Sequence, residues 1–539
     1  MQNGTARRLA LLFALCVLCD GAGSVRADVP SVSNAPLSGP SSATIESADF
    51  VATVSGKGAS ITHFVLKDPR YQTDGKQIDL VTTDKPAYLP LGTKIGGVQI
   101  PRDAVWQTER VSDQAVRFRL RVGDLELVRK IEVGSGPFSL WSTLRVFNHG
   151  TQAQPLDVSI EGRHYVKRAD EGGGMLGARS PLAAGGLCLG NDTPERFDRS
   201  QIVDDKPEAR GNVALGTVDN VYFTQAIAAH DAPFTRCKLN GDNRPNEDNP
   251  EGSLLTVTLD FPKQTVAPGK SATFRALAYF GPKSHRLLEK SGHHFARASF
   301  VGGLPGIDSI ATGLVGMLAW IHALPFVGNW GLAIILLTFS VKLILYPLTA
   351  KSFQSMAGMR KLKPEIDKLN EIYKDDREKK GAAMMELYRK HKINPVGGCL
   401  PQLLQLPIWW ALYMSLSSNV ELFRRPFFAF WSDLAAPDPF YVLPLALGIL
   451  MWVQQKMTPS TMDPAQAKMM LYMMPTMITA FMLFLPAGLC LYMFTNSVLS
   501  IGQQRFIEYR LANSATDSPS GGEPSEGSAS PGRTGRGRA

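Results

Sequence analysis

The chain has 539 residues, of which 44% are hydrophobic and 19% charged, and its formal net charge is +9. That length has room for two or three domains. The basic residues cluster beside apolar runs, which points to a phospholipid bilayer and away from sequence-specific nucleic-acid recognition, and the six cysteines are scattered along the chain.

Arg7 and Arg8 precede an apolar run over 9–19, and small residues lead to "VRA" ending at Ala27. Such a run is too short to span roughly 30 Å of hydrocarbon as a helix, but it suits a signal-peptide core. Residues 1–27 are therefore read as a signal peptide, with an uncleaved N-terminal anchor as the open alternative. Residues 28–45, rich in Ser, Pro and Ala, read as a linker.

From 46 to 283 short strands dominate. "VRFRLRV" (116–122) alternates strictly, with Val116, Phe118, Leu120 and Val122 on one face. Similar runs occur at 50–54, 125–133, 140–147, 254–261 and 274–280, separated by turn signals such as "GSGP" and "APGK". The expectation is a large antiparallel β-sandwich. The glycine-rich "EGGGMLGARSPLAAGG" has no strand–helix context for phosphate and reads as a mobile loop. Cys188 and Cys237 share this half, and a disulfide between them stays open. "HRLLEKSGHH" (285–294) brings three histidines, read as exposed polar residues in a connector that runs from 284 to 325.

Within that connector, 307–324 is apolar but carries Gly313, Gly316, Trp320 and His322, and is expected to lie along the outer interface. Five apolar segments follow, at 326–348, 399–416, 440–455, 469–485 and 487–503. Between the first two, 351–392 holds twelve Lys/Arg and seven Asp/Glu. The positive-inside rule makes this segment cytoplasmic and puts the β domain across the membrane from it. Five spans then leave the C-terminus in the cytoplasm. Helical spacing of Leu362, Ile366, Leu369 and Ile372, then Met384, Leu387 and Tyr388, predicts a hairpin turning at "DD" (375–376). Residues 326–511 form the membrane core, and 512–539 read as a disordered tail.

One cation stands inside the apolar region: Lys342, in "TFSVKLILYPLT" (338–349). A charge near a bilayer centre costs about 2.5–3.5 kcal/mol on insertion scales and normally has a partner. The five segments offer no carboxylate to it. Its polar company is Thr338, Tyr346, Gln402, Gln405, Gln454, Tyr492 and Asn496, with Tyr492 and Asn496 one helical turn apart. Convergence of these faces would form a hydrophilic groove open to the cytoplasm, whereas snorkelling of Lys342 towards the headgroups is the blander reading. Nine of the eighteen methionines lie between Met457 and Met493, which suits surfaces that accept varied apolar partners. No nucleotide loop, metal motif or nucleophile motif appears, so no cofactor and no catalytic set are expected.

"FVGNWGLAIILLTFSVKLILYPLT", "MMELYRKHKINPVGGCLPQLLQLPIWWALY", "DPFYVLPLALGILMWVQQKMTP" and "FLPAGLCLYMFTNSVLSIGQQ" closely resemble the YidC-type membrane protein insertases, relatives of the Oxa and Alb proteins. The resemblance implies a multi-domain membrane protein: a periplasmic antiparallel β-supersandwich, then an α-helical core of five transmembrane helices with a cytoplasmic helical hairpin. It implies insertion and folding of inner-membrane proteins, without enzymatic chemistry, alone or with the Sec translocon (SecYEG, SecDF). Nascent membrane proteins are the implied clients, with ribosome contact through the hairpin and tail. The family's intramembrane cation falls on Lys342, where most relatives carry arginine. Two competitors remain. One is a small-solute channel or transporter with a periplasmic sensing domain; the other is a carbohydrate-binding or sugar-epimerising module, for which no acid/base pair is evident.

Overall fold

In the computed structural model the described residues are 42–516, apart from 74, 84, 86–87, 99, 102, 168–183, 244–251, 300–306, 374–375, 392–394, 418, 429–430 and 458–463. The proposed signal peptide and most of the glycine-rich segment, linker and tail lie outside them.

One 14-stranded antiparallel sheet organises the first half. Its main path runs Gln264–Val266, Gln154–Val166, Ser253–Asp260, Phe234–Asn243, Glu208–Asp219, Phe223–Ala229, Ser271–Pro282, Ser139–Asn148, Leu125–Val133, Ala115–Val122 and Gln107–Ser112. The alternation in 115–122 buries Val116, Phe118, Leu120 and Val122 and leaves Arg119 and Arg121 in solvent. Strand 154–166 behaves differently, since from Val158 onwards it is buried on both faces.

A separate three-stranded sheet, Ser42–Glu46, Phe50–Ser55 and Ser60–Leu66, packs into the same apolar core. Phe64 stacks on Phe50 at 4.3 Å and on Phe280 at 5.2 Å between ring centroids. Strand 42–46 corrects the end of the expected linker, because residues 42–45 of that stretch pair with 52–55. Gly185 and Gly186, expected in a mobile loop, open strand Gly185–Gly190. There a side chain would strike the Phe197 and Thr217 carbonyls.

Ten α-helices are described: α1 Arg199–Asp204, α2 His285–Ser291, α3 Ile307–His322, α4 Trp330–Lys361, α5 Lys363–Ile372, α6 Arg377–Lys390, α7 Pro395–Ser417, α8 Val442–Met457, α9 Pro464–Met482 and α10 Ala487–Thr516. Leu288 of α2 and Phe295 of the following 3₁₀ turn join the β core, so that core extends beyond 283. A second apolar core is built from α3, α4, α7, α8, α9 and α10. In α3, Leu314, Leu318 and Ile321 face it while Trp320 is 65% exposed. Among the described helices, Trp330–Ser355 is long and apolar enough to cross a membrane, and Ser309–His322 and Val442–Met457 are shorter apolar helices.

Helix α4 does not stop at 348. It continues through Pro347 to Lys361, and α5 begins at Lys363 with Pro364 in its first turn. Leu362, Ile366 and Tyr388 close a small core between α5 and α6, and Asp376 caps α6 by accepting from the Lys379 N–H at 3.0 Å. Ile372, expected on that face, is 70% exposed. Helix α10 likewise runs past the expected end at 511 to Thr516.

The two halves meet through the segment between α7 and α8. Val420 is fully buried in the β core, and the Phe423 ring lies 5.0 Å from Tyr222, 6.1 Å from Phe223 and 6.3 Å from Tyr71. Ser284 donates to the Glu421 carboxylate at 2.7 Å beside this aromatic seat.

Candidate functional site

Lys342 sits on α4, and its neighbours on the helix surface are Val341, Leu345, Leu348 and Thr349 at the spacing that places residues on one face. These residues line a small pocket closed by Gln405 and Ile408 of α7 and Asn496 of α10. The Lys342 ammonium donates to the Ser500 hydroxyl at 2.7 Å, and Ser500 donates in turn to the Asn496 carbonyl one turn earlier at 2.7 Å. The Gln405 amide donates to the Asn496 side-chain oxygen at 2.9 Å and also bonds the Tyr492 hydroxyl. Next along α4, Gln503 donates to the Thr349 hydroxyl.

The result is a ladder of neutral groups along α10 with one cation against it. Among the described residues no carboxylate lies within ion-pair distance of Lys342. An ammonium has three N–H donors, and Ser500 accepts from one. The arrangement solvates the charge locally and leaves it able to bind a further acceptor.

Of the residues singled out from sequence, Lys342, Gln405 and Asn496 line the pocket. Tyr492 is buried behind it and reaches Gln405. Thr338 does not face the groove: it is 1% exposed, and its hydroxyl donates back to the Ile334 carbonyl at 2.7 Å. One turn in the other direction, Tyr346 is exposed on the outer side of α4. Gln454 is half-buried on α8 and absent from the lining, and the Gln402 side chain lies outside the described residues. Ser500 and Thr349 were missed. Ser500 continues the four-residue spacing of Tyr492 and Asn496 by one turn, and that spacing was the available signal.

Two family models match the two halves: "YidC periplasmic domain" over 42–300 and "60Kd inner membrane protein" over 320–514. The membrane protein insertase YidC of an Anaeromyxobacter species is 38% identical over 480 residues, spanning 86% of this chain and 83% of that protein. The chain belongs to the YidC family. The YidC of Geobacter sulfurreducens is 32% identical over 477 residues, covering 86% of this chain and 85% of the relative. A crystal structure of an active YidC insertase with its first transmembrane domain resolved aligns over 88% of this chain and 93% of its own, at 19% identity and a TM-score of 0.37. As a YidC, the chain is an inner-membrane protein with a periplasmic β domain and a helical core. The relatives named above are insertases, which disfavours the channel reading.

Proposed function

We propose that the chain inserts integral proteins into the inner membrane and helps them fold, alone or beside the Sec translocon. In this reading α4, α7, α8, α9 and α10 cross the bilayer. The β domain stands in the periplasm, and the α5–α6 hairpin and C-terminus lie in the cytoplasm, where the hairpin meets ribosomes carrying nascent clients. The twelve Lys/Arg of 351–392 support that orientation.

The observation that carries the reading is the Lys342 ammonium held by the Ser500 hydroxyl, with no carboxylate beside it among the described residues. A client's acidic or carbonyl-rich segment supplies acceptors as it passes, with Gln405 and Asn496 offering both donors and acceptors. Such charge-assisted bonds are roughly twice as strong as neutral ones. The client's apolar segment then leaves towards lipid along α9, whose Met469, Met473, Met474 and Met477 side chains are exposed and adaptable. Burial of apolar surface at roughly 25 cal/mol per Å² drives the transfer, so no bond is made or broken and no nucleotide is consumed.

The experiment is reconstitution with Lys342→Ala and Lys342→Arg, scored by protease protection of a client with a short acidic periplasmic tail. The alanine variant should lose insertion by about tenfold or more, the arginine variant should retain it. Normal insertion by Lys342→Ala would remove the cation from the mechanism. Crosslinking nascent chains to a cysteine at Gln405 tests client passage separately.

A further inference from the structure

Three neighbouring strands of the large sheet, 154–166, 253–260 and 234–243, turn polar side chains onto one face. In register they form cross-strand rows, Glu161–Thr258–Lys238 and Arg163–Thr256–Asn240. On an open sheet face such residues would be exposed, yet none of the six is. They floor a recess instead. It has two lobes, with cavity volumes of about 500 and 460 Å³, which share Lys94, Glu161 and Arg163 in their walls. Each lobe falls within the roughly 300–1,000 Å³ typical of small-molecule sites.

The chemistry of the recess narrows its ligand. Glu161 is paired with both Arg163 and Lys94, and Asp260 is paired with Arg236 at 2.7 Å. These pairs favour neither an anion nor a cation, and Lys238 adds one cation to the lining of one lobe. The floor is a sheet face whose backbone is already used: 159–161 is paired with 92–94 on one side and 258–260 on the other. Strand addition by a peptide therefore has no free N–H or C=O groups here. What remains is a dense array of planar and hydroxyl side chains offering donors and acceptors together. Trp106 borders one lobe almost wholly buried, and its indole N–H has no acceptor among the described residues.

We propose that this recess binds a short neutral saccharide. Adjacent sugar hydroxyls each donate and accept, which matches Thr256, Thr258 and Asn240 beside the guanidinium and carboxylate of Arg163 and Glu161. Binding alone is assigned, with no reaction, and the assignment is independent of client insertion.

The test uses the full chain in lipid nanodiscs, titrated with galactose, N-acetylglucosamine and maltotriose and followed by saturation-transfer NMR. Hexaglycine and inorganic phosphate serve as comparators. Two variants probe the floor: Asn240→Ala, and Thr256→Tyr, which fills the recess. Thermal unfolding verifies that each remains folded, and Asn240→Ala alone suffices if the tyrosine does not. At least one sugar should bind saturably, about tenfold more weakly to Asn240→Ala and undetectably to Thr256→Tyr, with client insertion unchanged. Lack of saturable binding by all three sugars, binding indifferent to Asn240→Ala, or tighter binding of hexaglycine or phosphate would overturn the proposal.

Discussion

Arg129 carries its charge into the centre of the β domain, where it is fully buried. Its guanidinium donates to the carbonyls of Ala59 and Leu91 and to the Ser142 hydroxyl, tying three segments together. Burial lowers its pKa to about 10, so at neutral pH it stays charged. Arg129→Met should cost about 2–3 kcal/mol of unfolding free energy, because it strands two carbonyls without donors. Lys283 makes a different prediction. Burial lowers its ammonium to about 8, against the pull of the Asp219 carboxylate 3.7 Å away. Unfolded, the lysine keeps its proton to near 10.5. Between those values the unfolded chain binds more protons, so stability should rise as pH climbs from about 8 to 10. Lys283→Met should flatten that rise in denaturant titrations. Asp219 acts at the acid end. Burial raises its carboxyl, but Arg196 and Lys283 outweigh that and hold it below the usual range. Its contribution is present above about pH 4 and is lost as pH falls through the folded value.

At the scale of elements, strand 208–219 carries the disulfide's geometry. Cys188 lies opposite Gly216 on that strand and Cys237 opposite Ala209 seven residues away, and the Cys237 sulfur packs over Gly216 beside its partner. Any side chain at Gly216 would approach the Cys237 sulfur to 3.1 Å and Val257 to 2.8 Å. The bridge closes 49 residues, with Cα atoms 6.0 Å apart. Cys188→Ser with Cys237→Ser should cost roughly 2–4 kcal/mol, read as a lower denaturant midpoint that reductant reproduces in the parent chain. Helix α4 shows how one element serves two media. Its 32 residues make roughly 48 Å of helix, well beyond the ~30 Å of hydrocarbon. In the proposed topology its polar end projects from the bilayer and carries the α5–α6 hairpin with it.

For the molecule as a whole, the seat of Phe423 joins the β domain to the membrane core. Its ring is held by Tyr71, Tyr222 and Phe223, and Tyr222 also touches the helical core. Phe423→Ala should weaken that joint by about 2 kcal/mol or more. Hydrogen exchange provides the readout: amides of 419–428 should exchange faster while strand 139–148 keeps its protection. Unchanged exchange in 419–428 would mean that the two halves are joined elsewhere.

The amino-acid sequence alone determined the half-buried strands, because solvent on one face writes a period of two into strands such as 115–122 and 125–133. It determined the apolar helices, the charge contrast across them and the solitary Lys342, since bilayer costs act on each residue where it stands. Its family motifs identified the chain as a YidC-type insertase. Tertiary structure decided the rest. Strand 154–166 alternates Leu156, Val158 and Ile160 with polar residues, yet from Val158 onwards both faces are buried, and Glu161, Arg163 and His164 lie inside where alternation would put Glu161 and Arg163 in solvent. Ser500 is one hydroxyl among many until α10 packs against α4, and Thr338 turns out to face the helix core. The union of Cys188 with Cys237 and the seating of Phe423 depend on distances between residues far apart in sequence. Local periodicity records only which side meets water or lipid; which distant side chains meet is set by packing.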